Sequence, residues 1–174
     1  MKLVNYQNSD NVINDIKYII ETSQKQAVQA VNTALILRNW YIGKRIHEEE
    51  LKGENRAEYG AKIIKELSKE LTKEYGKGFD ISTLYKFSKF YKYYPNILDS
   101  VSPKSYLLSW THYRILIQVD DKCARKWYEQ EAIRETWSVR TLQRNISSQY
   151  YYRLLKSQVK DGVICEMKEK TNLY

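Results

Sequence analysis

Apolar residues recur every three or four positions along most of this chain, the spacing of one face of an α-helix rather than the alternation of a strand. Behind a cap at Ser9 or Asp10, Val12, Ile13, Ile16, Ile19 and Ile20 open such a run. The pattern weakens at "ETSQ" (21–24) and resumes with Ala27, Ala30, Val31, Ala34 and Leu35, continuing through "NWYIGKRIHEEELKG". This predicts one long helix, kinked near Thr22 and ending before Gly53. Gly43 lies inside it, where glycine costs about 1 kcal/mol against alanine, so the pattern implies a packing reason for it. "AKIIKELSKELTKEYG" (61–76) predicts a second helix. Its inward stripe is Ala61, Ile64, Leu67, Ser68, Leu71 and Tyr75, with lysines and glutamates outside. Gly76 sits where a left-handed helix stop is expected.

Asp80 or Ser82 caps a third helix, which ends before Pro95 because the proline ring disfavours helical geometry at Tyr94. Leu84, Phe87, Ser88 and Tyr91 form its buried side. Ser82, Lys86, Lys89 and Tyr93 share the opposite stripe, bordered by Thr83, Phe90 and Lys92. After a loop, "PNILDSVSPKS" (95–105), three more helices start from caps at Ser109, at Asp120 or Asp121, and at Ser138. Their inward residues are Trp110, Tyr113, Leu116 and Ile117; then Ala124, Trp127, Tyr128 and Ala132; then Val139, Leu142 and Ile146. The last helix runs to about residue 158 and carries Arg140 and Arg144 one turn apart on its outer side. The periodicity then decays, and "GVIC" (162–165) reads as tail or as a lone strand.

These elements predict an all-α fold, two helix-turn-helix-like units packed on a long N-terminal helix. The segments are 1–53 for the long helix, 54–100 and 101–157 for the two units, and 158–174 for a tail or linker. Six glycines and two prolines agree with few turns. A formal net charge of +8 favours a polyanionic partner: nucleic acid, an anionic membrane or an acidic protein. The two cysteines, Cys123 and Cys165, have no metal-ligand spacing and no histidine beside them, so no metal or cofactor is expected. No apolar run approaches the ~20 residues of a membrane span, and the N-terminus turns polar too soon for a signal peptide. A cytoplasmic protein with no membrane partner is expected. Asp161, Glu166 and Lys168 imitate a nuclease D…ExK signature. A gap of five residues within one segment cannot bring the two carboxylates from separate strands, so no catalytic residue is expected.

Candidate chemistry concentrates in the third helix. Between Lys77 and Tyr94 there are four lysines, Lys77, Lys86, Lys89 and Lys92, against one aspartate. On a DNA-binding reading the lysines meet phosphates, Ser82 and Thr83 approach base edges or phosphate, and Tyr93 packs on sugar. Arg140 and Arg144 add two planar forks suited to phosphate or guanine. The plainer readings are a solvated lysine face, and arginines paired with Glu131 or Glu135. The competing function is a protein-interaction or oligomerisation module without nucleic-acid contact. In that case a homodimer forms through the long helix (24–51) and exposed tyrosines.

Three blocks carry a family resemblance: "NWYIGKRIHEEE", "YGAKIIKELSKELTKEYGKGFDISTLYKFSKFYKYYP" and "LSWTHYRILIQVDDKCARKWYEQEAIRETWSVRTLQRNI". Over residues 23–155 the chain resembles the helical N-terminal domain of the bacterial YhcG-like family. The resemblance implies a DNA-associated domain that precedes a C-terminal PD-(D/E)XK nuclease domain in full-length members. None of that nuclease domain's catalytic residues maps here. The implied role is a non-enzymatic one, binding double-stranded DNA and positioning a nuclease domain absent from this chain. Where the family often places arginines after "GKGF", this chain has Ile81, Ser82 and Thr83, implying weaker phosphate contact there.

Overall fold

The computed structural model describes residues 9–52, 56–100 and 108–157. Asp161, Glu166, Lys168 and "GVIC" lie outside the described residues. Seven α-helices are present, with no strand among the described residues: α1 Val12–Glu50, α2 Arg56–Tyr75, α3 Ile81–Tyr93, α4 Trp110–Leu116, α5 Lys122–Arg134, α6 Val139–Ser147 and α7 Tyr150–Lys156. A 3-10 turn, Ile97–Ser100, enters the segment read as loop. The all-α class and the long first helix stand as expected.

Most helix starts follow local side-chain chemistry. Asp80, Asp121 and Ser138 cap α3, α5 and α6 through backbone N–H groups of the first turn. For α1 the cap is Asn11, one residue beyond the expected Ser9 or Asp10, its Oδ1 accepting from Ile13 and Asn14. Helix α1 then runs unbroken through Thr22. The expected single helix after Ser138 is instead two. Gln149 takes a left-handed conformation (φ 52°) and divides α6 from α7.

Helix α3 crosses α1 at Gly43, where a Cβ would stand 2.0 Å from the carbonyl oxygen of Phe87. The packing reason implied by the sequence is this backbone contact. On one side of the crossing, Ile46, Ile64, Leu84 and Phe87 form a small cluster shared by α1, α2 and α3. On the other, Ile36, Trp40, Phe90, Tyr113, Leu116 and Tyr128 belong to a larger core that reaches α7, and Trp110 packs against both clusters. The Trp40 indole N–H donates to Tyr94 O at 2.9 Å and fixes the end of α3 on α1. Tyr128 joins three helices, donating to Asn145 O and accepting from Tyr151 N–H.

Several inward assignments change. Phe90, read as a border residue, is fully buried, while Ala61 and Tyr75 of α2 are exposed. In α1 the apolar run Val12, Ile13, Ile16 and Ile20 is exposed, and the first buried residue is Ile36. Length explains this: at 1.5 Å per residue α1 is about 58 Å long, against about 20 Å for α3. Its N-terminal half outruns the helices it packs on.

Candidate nucleic-acid interface

The lysine-rich segment is held in place by its turn. Gly76 and Gly78 both have positive φ (78° and 128°), which lets the chain reverse between α2 and α3. Asp80 then accepts from Thr83 twice, from its N–H at 3.1 Å and its hydroxyl at 2.7 Å. These bonds hold the Asp80 carboxyl below its usual range. The half-buried Thr83 is thus engaged in the cap, whereas Ser82 and Lys77 are exposed.

Four residues of the expected site share one side of α3: exposed Ser82, half-buried Lys86 and Lys89, and exposed Lys92 at its edge. Tyr85 lies with them and is 46% exposed. Sequence reasoning passed over it, although Tyr85 precedes Lys89 by four residues and Lys92 by seven, the spacing of one helix side.

The C-terminal end of the row meets carboxylates. Lys89 Nζ is 3.1 Å from Asp120 Oδ1, and the Tyr93 hydroxyl donates to the same oxygen at 2.8 Å. Two cations stand over the Tyr93 ring, Lys89 Nζ at 5.0 Å and the Arg125 guanidinium at 3.9 Å from its centroid. Arg125 is itself anchored on Val119 O and Asp120 O. The bond from Tyr93, then that from Lys89, lowers the Asp120 pKa. Partial burial pulls the Lys89 pKa down, but its bonds to Asp120 and Tyr93 outweigh this and raise it. Lys92 Nζ reaches Glu50 Oε2 of α1 at 3.0 Å. Both lysine side chains keep about two-fifths of their surface in solvent, 41% and 44%, so a phosphate can reach either, and an ion pair open to water such as Lys89–Asp120 contributes only about 0–1 kcal/mol.

Arg140 and Arg144 sit on α6, exposed and half-buried respectively, and each has a partner group. Helix α6 packs on α4, α5 and α7, so these arginines belong to a different part of the molecule from the lysine row. The glutamates expected opposite them, Glu131 and Glu135, hold Arg134. His112 bridges Ser109 Oγ and Trp137 O, joining the start of α4 to the turn before α6. Among the described residues no group of histidine, cysteine and carboxylate side chains has the arrangement of a metal site. No described helix is long and apolar enough to cross a membrane.

Residues 15–153 match the family described as the DUF1016 N-terminal domain. The chain is 32% identical over 177 residues to the Escherichia coli (strain K12) protein named "Putative nuclease YhcG", with 86% of this chain and 47% of that protein covered. The chain therefore spans about half the length of the curated relative it matches. No solved structure gives a significant match.

Proposed function

We propose that this chain, which belongs to the DUF1016 N-terminal domain family, binds double-stranded DNA through α3 and positions an associated nuclease domain without being an enzyme itself. The observation that supports this reading is the placing of Lys86, Lys89 and Lys92 with Ser82 on one accessible side of α3. The net charge of +8 supplies long-range attraction toward the phosphate backbone. Exposed Tyr85 adds a ring that can pack on sugar, while Tyr93 and Thr83 hold the helix in place. Phosphates would take over Lys89 and Lys92 from Asp120 and Glu50. A cytoplasmic setting accords with this role.

The test is a salt titration of duplex binding by fluorescence anisotropy. Lys86→Ala and Lys89→Ala should each weaken binding and flatten the plot of log affinity against log salt by about one unit per lost phosphate contact. A double variant that matches the parent at every salt concentration removes α3 as the interface.

A second reading, the interaction module, is favoured by a separate observation: the apolar side of α1 that the other described residues leave open. The lysine row of α3 and the open side of α1 are different surfaces of the molecule.

A further inference from the structure

We infer that a second copy of this chain covers the open side of α1, the two α1 helices running antiparallel about a two-fold axis near Ala27. The inference rests on the interaction reading and is independent of DNA binding. Ile13, Ile16, Ile20, Ala27, Val31 and Ala34 follow one another at steps of three, four or seven residues, which places them on one side of the helix. Ile13 is 66% exposed, Ile16 51%, Ile20 50% and Val31 59%, and both alanines are exposed. An open apolar strip of this length on a soluble helix marks an interaction site.

The chain also contains the complement of that strip. Where α1 meets α2, Tyr41, Ile42, Leu67 and Leu71 line an apolar groove of about 470 Å³. Its α1 wall lies 14 to 15 residues after Ala27, and Ile13 lies 14 residues before it. An antiparallel pair centred there brings Ile13 of each copy against Tyr41 in the groove of the other and sets Ile16 opposite residue 38 just outside it. Small alanines at 27, 30 and 34 let the two backbones approach in the middle. A parallel pair would stack isoleucine on isoleucine and leave both grooves unfilled. The helix dipoles oppose in the antiparallel choice, while Lys44 and Arg45 beside the groove are paired within one copy with Glu48 and Glu49. Arg38 falls on the strip, but its guanidinium is turned to Asn39 Oδ1 and to the Phe79 ring.

The overlap, residues 13–42, is about 45 Å long, and one helix diameter wide it covers about 450 Å² per copy in projection. With the α2 wall of the groove added, the total approaches the lower bound of about 1,200 Å² for a specific interface. A dimer of about micromolar strength is expected.

Sedimentation equilibrium of the 174-residue chain up to about 100 μM should show a reversible dimer, a concentration well above a micromolar constant. Ala27→Arg places two cations at the two-fold axis and should weaken association at least tenfold. Its helicity and thermal midpoint should stay as in the parent, because Ala27 is exposed within one copy. In a Cys123→Ser, Cys165→Ser background, Ala27→Cys should cross-link to itself on oxidation, and Ile13→Cys should not. A monomer throughout the range overturns the inference. So does a dimer that Ala27→Arg leaves intact, or one in which Ile13→Cys links to itself. Loss of DNA binding in the α3 lysine variants would leave each of these readouts unchanged.

Discussion

Asp120 takes two donors on a single oxygen, the Tyr93 hydroxyl and Lys89 Nζ, and these bonds hold its carboxyl below the ordinary range. A depressed carboxylate contributes above its unfolded pKa and loses that contribution as pH falls through the folded value. Between pH 5 and 8 it therefore stays charged and, on the proposed DNA-binding reading, would compete with phosphate for Lys89. Asp120→Asn should raise DNA affinity about two- to fivefold and steepen the salt plot by up to about one unit, read by the same anisotropy titration. An unchanged or weaker affinity would mean that Lys89 makes no phosphate contact. Glu129 shows the opposite shift. Burial raises its carboxyl pKa, with the Tyr113 hydroxyl donating to it at 3.2 Å and the charge of Arg125 nearby working against the shift. A raised folded pKa makes the ionised form costly at neutral pH, and that cost disappears as pH falls. Glu129→Gln keeps an acceptor for Tyr113 and should raise Tm at pH 7 by about 2 °C, corresponding to less than 1 kcal/mol at this size. Local residue roles were partly legible. Thr83 lies three residues after the capping Asp80 and could have been read as its partner. The engagement of Tyr93 was not legible, because Asp120 is 27 residues away in sequence and no local pattern encodes that contact.

At the scale of elements, Gly43 and Gly76 serve different purposes. Gly43 has an ordinary helical backbone but no room for a Cβ, since the α3 carbonyl of Phe87 fills the space. Gly76 has open space around it but a φ of 78°. Gly43→Ala should push α1 and α3 apart and cost about 3 kcal/mol, at the severe end for overpacking. Gly76→Ala meets only the left-handed backbone penalty, about 1 kcal/mol. Urea denaturation of the two variants should rank them in this order, and a reversed order would contradict the α1–α3 crossing. Helix existence, most caps and the glycine turn were readable because each is set within about four residues. Two features escaped that range. The break at Gln149 has neither glycine nor proline to announce it. The isoleucines of α1 signal a face that needs cover, and periodicity says nothing about whether the cover comes from the same chain.

For the molecule as a whole, the two proposed interfaces would constrain each other. At 3.6 residues per turn, the buried side of α1, made of Ile36, Asn39, Trp40, Gly43 and Ile46, faces roughly 145° away from the open strip. A partner on the strip therefore stands nearly opposite α3. Gly43, where α3 crosses, is 16 residues from Ala27, so the two crossings in a pair are about 48 Å apart along the shared helices. The paired molecule would present its lysine rows outward on opposite sides, and one straight duplex could not lie along both. Such a dimer should bridge two duplexes instead. With one duplex immobilised and a second labelled, the parent chain should retain the label near its dimer concentration. Ala27→Arg should abolish retention yet bind a single duplex with parental affinity, and Lys86→Ala with Lys89→Ala should remove both activities while leaving self-association intact. Retention of the label by the Ala27→Arg chain would show that bridging does not pass through α1. Cooperative gain on one long duplex, in place of bridging, would require both α3 helices on the same side, which is incompatible with antiparallel pairing through the open strip.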